Sequence, residues 1–339
     1  MPPTPESAEV VYTEVHRIAS INADGAGYKA LTRPDVVPQN GNGSYNGDFG
    51  PEISPDGQRL LFWQLDMKAR KTDRIMVADR DAGNARPIFA VRGIQKKKYV
   101  SIHSPTWSSD GRRIFFVLEI DKELKNLREH RLYLVISVKP DGSGRQVHFR
   151  RFVDGTRNGY PKGIGSLDSA VQSPDGRRML LSGFSYGRLD SGIWMLNLRT
   201  GMTRFLHRGE NPGWSPDGSE IAFDSEFEGL GSRRGGNHGE TAYDSRIYVM
   251  DADGSDVRRL VKGYGDGVEL SPDWSPDGSR ILFTSDRATY DDSYQSISEI
   301  YTINVDGSCL SRITFAGRET FEPDWGPEAD RSPDPTSCE

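Results

Sequence analysis

The sequence predicts an all-β protein: a six-bladed β-propeller with four antiparallel strands per blade, closed by a composite blade that joins the N- and C-terminal ends. Three observations carry this reading. A short turn phrase recurs along the whole chain, each copy sits in the same succession of short strands, and the N-terminal residues supply what the last copy lacks. Composition agrees, because 37 glycines and 20 prolines in 339 residues, with 35% hydrophobic residues, favour many turns and few long helices.

The phrase reads Ile53-Ser54-Pro55-Asp56-Gly57, then Trp107-Ser108-Ser109-Asp110-Gly111, Gln172-Ser173-Pro174-Asp175-Gly176, Trp214-Ser215-Pro216-Asp217-Gly218 and Trp274-Ser275-Pro276-Asp277-Gly278. A degraded sixth copy is Trp325-Gly326-Pro327-Glu328. Proline presets φ for the second turn position, aspartate accepts bonds from the amides that follow, and glycine takes the positive φ. An apolar strand follows each full copy, as in Leu60–Trp63 or Ile114–Leu118. A variable polar loop leads to an alternating strand such as Arg246–Met250 or Glu299–Asn304. Most copies then make a second turn, Asp141-Gly142, Asp253-Gly254 or Asp306-Gly307, before a last short strand. Four strands per unit, six units and no intervening helix describe radial blades.

Closure follows from the two ends. Residues 17–25, Arg-Ile-Ala-Ser-Ile-Asn-Ala-Asp-Gly, share the pattern of residues 299–307, so the chain begins in mid-blade. Residues 9–32 are expected to supply the three outer strands of blade six, and residues 321–326 its innermost strand. The expected organisation is a tail at 1–8, one propeller domain at 9–326 and a C-terminal tail at 327–339.

The Trp-Ser-Pro-Asp-Gly phrase, followed by a strand, Ile-Tyr-x-Met/Ile-Asn/Asp-x-Asp-Gly-Ser and another strand, resembles the WD40-like (PD40) repeat of the TolB family of six-bladed propellers. The resemblance runs from about Val10 to Trp325. The same repeat resembles the propellers of prolyl-oligopeptidase relatives and of oligogalacturonate lyases, so it implies a fold and leaves the function open.

Both short-turn classes fall on one face of such a ring. The opposite face receives the long loops between second and third strands and between blades, and that face is the expected functional one. Asp48, His103, Asp168, Glu210, Glu269 and Glu322 are expected where the innermost strands begin. They are candidates for a divalent cation, calcium or manganese, in the central channel. Lys71, Lys97, Tyr99, Tyr160, Arg188, Tyr243 and Arg287 are ligand-binding candidates on the same face, suited to an acidic saccharide or a protein surface. If the protein is an enzyme, the catalytic candidates are His103, Asp168, Glu210 and His238. The leading expectation is a non-enzymatic TolB-like propeller that binds a protein or glycan partner. The alternative is a lyase or hydrolase acting on uronate-containing saccharides at the channel mouth. Gly183-Phe184-Ser185-Tyr186-Gly187 fits a nucleophile-elbow pattern but leads into a strand rather than a helix.

A balance of 43 basic against 49 acidic residues, net −6, gives no footprint for nucleic acid. No apolar run reaches the length of a membrane span, and MPPTPESAEV has neither the basic nor the apolar region of a leader. The expectation is a monomer, periplasmic or secreted if a leader has been removed and cytoplasmic otherwise. The two cysteines, Cys309 and Cys338, are close enough along the chain for the tail to reach back to blade five, and the sequence leaves two readings open, a disulfide between them or two free thiols.

Overall fold

The computed structural model describes residues 9–32, 46–66, 72–92, 94–95, 98–123, 129–154, 163–185, 190–226, 245–261, 268–288, 297–315 and 317–327. Lys71, Lys97, Tyr160, Arg188, His238, Tyr243 and Cys338 lie outside the described residues.

In chain order, β1 (Glu9–Glu14), β2 (Arg17–Asn22) and β3 (Lys29–Ala30) come first. Blade one is β4 (Asn46–Ile53), β5 (Arg59–Asp66), β6 (Thr72–Asp79) and β7 (Arg86–Arg92). Blade two is β8 (Ile94–Gln95), β9 (Lys98–Trp107), β10 (Ile114–Glu123), β11 (Glu129–Val138) and β12 (Gln146–Asp154). Blade three is β13 (Ser169–Gln172), β14 (Arg178–Ser185), β15 (Asp190–Asn197) and β16 (Thr203–Arg208). Blade four is β17 (Glu210–Trp214), β18 (Glu220–Ser225), β19 (Arg246–Asp251) and β20 (Arg258–Arg259). Blade five is β21 (Glu269–Trp274), β22 (Arg280–Ser285), β23 (Glu299–Asn304) and β24 (Ser311–Arg312). The last strand is β25 (Thr320–Trp325).

Each blade is an antiparallel sheet, and the sixth has the order β25-β1-β2-β3. The expected clasp is therefore present: Val10 pairs with Trp325 and Glu14 with Thr320. Blade two differs from the four-stranded pattern, because β8 turns back and pairs with the channel-side edge of β9. The innermost strands touch in the ring order β4, β9, β13, β17, β21, β25 and back to β4. Among the described residues there is no helix, and none long and apolar enough to cross a membrane.

The turn phrase works as its chemistry dictates. In all five full copies the serine hydroxyl donates to the aspartate, as from Ser215 to Asp217 at 2.7 Å, and the serine oxygen accepts the amide five residues on, as from Glu220 at 2.9 Å. Gly218 sits at φ 72°, the left-handed position the turn requires. Tryptophan has a different task. The indole N–H groups of Trp107, Trp214 and Trp274 donate to carbonyls of the preceding blade, at Glu52, Val171 and Gly213. These rings are buried between blades, and each such aromatic contributes about 2–3 kcal/mol through its burial.

The innermost strands carry a feature that the turn phrase does not announce. In five blades the third residue before the strand's end has positive φ: Gly50, Ser104, Asn211, Ser271 and Glu322, with φ from 40° to 54°. A proline follows in each case, and the pairing register shifts at the same place. These are β-bulges that turn the strand toward the channel. Blade three has Ala170 in place of the proline and keeps an unbroken register.

Cys309, at φ 55° in the last turn of blade five, is disulfide-bonded. The sequence contains one other cysteine, Cys338.

Candidate functional site

The structure separates the six channel-mouth candidates into two groups. Three are engaged by their own surroundings. Asp48 accepts Gln64 Nε2 at 3.0 Å, and its burial raises its pKa. Glu269 is buried, accepts the Ile247 amide and pairs with Arg287. Glu322 lies not at the start of β25 but at its bulge, two residues in, because Thr320 begins the strand. It accepts the Gly50 amide at 2.9 Å and the Thr13 hydroxyl at 3.2 Å. Arg287 is likewise committed, stacked over Phe283 and Tyr301 while it neutralises Glu269.

The other three, His103, Asp168 and Glu210, lie on one sector of the mouth, on blades two, three and four. His103 Nε2 is 3.1 Å from Glu119 Oε2 and 2.9 Å from Ser101 Oγ. Tyr133 donates to Glu119 at 3.2 Å. Against the burial that favours its neutral form, the Glu119 carboxyl is held below its ordinary value by the His103 hydrogen bond and by the charges of His103 and Arg131. Asp168 exposes its own surface to the channel yet is ringed by protein. That enclosure pushes it up to about 6, with His103 opposing and Glu210 and Glu119 adding repulsion.

Serine, histidine and glutamate in contact invite comparison with a catalytic triad. A triad places the nucleophile and the carboxylate on opposite ring nitrogens. Here Ser101 and Glu119 both meet Nε2, and Ser101 also donates to Glu119 at 3.4 Å. No hydroxyl is activated by this arrangement. His207 stays apart from His103, on the outermost strand of blade three, with Nδ1 2.8 Å from the Arg208 carbonyl and its ring against Phe223. Ser185 is buried at the end of β14 and pairs with Asp190 in the ladder, which is strand geometry and not an elbow. Among the described residues no three histidine, cysteine, aspartate or glutamate side chains come together as a metal-binding group.

Beside Glu210 a cavity of about 520 Å³ opens between blades three, four and five. Four carboxylates line it, Asp190, Glu210, Asp224 and Glu226, with the hydroxyls of Ser191, Ser225 and Ser245. Phe184, Val268 and Leu270 form an apolar wall. Ser191 donates to Glu210, and Arg208 pairs with Asp190 at 3.2 Å from the outer side. Asp224 forms the floor, accepting Asn211 Nδ2 at 2.8 Å and the Ser271 amide at 3.0 Å, and burial pushes it up to about 6. Gly209 makes room for this floor. A Cβ there would lie 2.6 Å from the Phe223 ring and 2.7 Å from the Asp224 carbonyl oxygen, and φ is 145°. The volume falls within the usual range of ligand sites, and its chemistry suits a positively charged group with an apolar stem. Of the lining residues, only Glu210 was singled out by its place in the repeat. Asp190 begins β15 and Glu226 directly follows β18, each at the end of a loop of variable length, and their meeting depends on how three blades pack.

Residues 238–332 match the sequence profile of the TolB beta propeller domain. An uncharacterized protein of Agrobacterium fabrum is 31% identical over 163 residues, 47% of this chain and 47% of that protein. An uncharacterized peptidase of Bacillus subtilis is 32% identical over 143 residues, 37% of this chain and 19% of that protein. The match thus spans less than half the length of either relative. TolB from Acinetobacter baumannii superposes with a TM-score of 0.63 at 15% identity, over 96% of this chain and 68% of that one, a likeness of fold. With the six closed blades and the recurrent turn phrase, these matches show a TolB-like six-bladed β-propeller whose residues 238–332 carry the TolB beta propeller domain profile.

Proposed function

We propose that this protein is a non-enzymatic binding propeller that receives a protein partner on its long-loop face, with a basic side chain or amino group of that partner entering the cavity between blades three, four and five. The observation that supports this most is the cavity's lining. Four carboxylates around an apolar wall, with one outer arginine, attract an ammonium or guanidinium carried on a hydrocarbon stem. A uronate would meet carboxylate repulsion there. The Ser101–His103–Glu119 contacts lack the geometry of an activated nucleophile, which weighs against the hydrolase alternative.

Titration with short peptides tests this reading. A lysine- or arginine-containing peptide is expected to bind, a glutamate-containing one of equal length is not, and Glu210→Gln with Asp190→Asn should weaken the basic peptide at least about tenfold. Because burial pushes Asp224 on the cavity floor up to about 6, affinity should rise from pH 5 to pH 7.5. Equal binding of both peptides, or turnover of uronate oligosaccharides by the protein, would overturn the proposal.

A further inference from the structure

Three carboxylates occupy one place in three consecutive blades. Asp273, Asp324 and Glu52 each stand just before the last residue of an innermost strand, in blades five, six and one. Each reaches the next blade and accepts a backbone N–H from it. Asp273 takes that of Trp325 at 2.9 Å, Asp324 that of Ile53 at 2.9 Å, and Glu52 that of Trp107 at 3.0 Å. In the other three blades the same place holds Thr106, Val171 and Gly213. The stitches therefore run from blade five through the composite blade to blade two, across both sides of the junction where the two chain ends meet. At these positions no strand lies beyond the innermost one on the channel side, since β8 pairs only with residues 98 and 99 of β9, so these amides need another acceptor.

The three side chains are half-buried by their own surface, which faces the channel, and protein surrounds them. Asp324 stands between the other two and feels both charges, and Asp273 and Glu52 also repel. Among the described residues no cation pairs with them. Glu322, on the same strand as Asp324, is occupied with Gly50 and Thr13. Arg80, in the turn after β6, pairs with Glu9 at the start of β1 at 2.8 Å. A protonated carboxyl still accepts an amide through its carbonyl oxygen, so taking up a proton removes repulsion and keeps the stitch.

We propose that Glu52, Asp273 and Asp324 form a proton-controlled lock on ring closure, tight while the trio holds a proton and loosened when all three are ionised. Burial pushes Asp273 up to about 7 and puts the other two well above the carboxylate range. Such groups bind more protons folded than unfolded, so their contribution is complete below pH 4 and is lost as pH rises through 7. Asp168 and Asp224 act in the same direction, and His148, whose pKa burial lowers, acts in the opposite one. The parent's pH slope alone therefore does not isolate the lock.

Melting at pH 6 and pH 8.5 of the parent, Asp324→Asn and Glu52→Gln isolates it, since both variants keep an acceptor and lose the charge. The parent should melt about 3 °C or more lower at pH 8.5. The variants should lose much of that fall, through a higher Tm at pH 8.5. Hydrogen exchange of the parent supplies a second reading that needs no variant: corrected for chemical exchange, protection of β25 and β4 should drop several-fold at pH 8.5 relative to β10. A parental slope in both variants, or a uniform pH response of β25 and β10, would overturn the lock.

Discussion

At Ser215 the turn phrase can be weighed as a single side chain. Its oxygen accepts the Glu220 amide while its hydroxyl donates to Asp217, so one buried atom closes the hairpin in two directions. The Asp217 carboxyl is held below its ordinary value, first by that hydroxyl and then by the Ser219 amide and hydroxyl. Ser215→Ala should cost about 1–2 kcal/mol in denaturant unfolding at pH 7. A depressed carboxylate contributes stability above its unfolded pKa and loses it as pH falls, so the cost should shrink toward pH 3. A cost that stays constant with pH would show that Asp217 plays no part. These turns were legible from sequence because each bond spans five residues or fewer. The cavity carboxylates were not, since Asp190, Asp224 and Glu226 acquire their common chemistry from the packing of three blades.

At the scale of strands, the clasp shows how a pattern can fix topology without any long-range information. The likeness of residues 17–25 to 299–307 placed β2 in a blade, and the missing strands of the last repeat named its partner. Deleting residues 1–24 removes β1 and β2 and leaves β25 with an open edge, so the truncated chain should aggregate and lose its cooperative melt. A single sharp transition near the parental temperature would refute that. The bulges needed a finer reading than turn chemistry. Their sign was present, a proline two residues before the end of the innermost strand at Pro51, Pro105, Pro212, Pro272 and Pro323. Its meaning depends on the channel, where a residue at positive φ lets the chain turn inward while proline removes one unpaired amide. The acids beside those prolines followed the same logic: Glu52, Asp273 and Asp324 recur at one position, but only closure of the ring brings them together.

For the whole molecule, the two faces divide the labour. The short-turn face is bonded turn by turn, while the long-loop face holds the cavity, the His103–Glu119 pair and Asp168. The first and last strands of the ring leave it from the short-turn side, where the Gly326 amide donates to the Glu9 carbonyl at 2.8 Å. β1 and β25 are antiparallel, so residues 9 and 326 emerge at the same end of their ladder. A load applied between them peels that ladder one rung after another, and does not shear all its rungs together. The ring is thus mechanically soft where it is covalently open. In an optical trap with the Cys309 disulfide reduced and handles on the two ends, the first event should be a low-force step that releases blade six, with the other five blades yielding later. A first rupture at high force, with blade six released last, would contradict this. Any machine that pulls on the reduced chain would meet the same order of events, and would unlatch the ring before it disturbed the carboxylate-lined cavity on the far side.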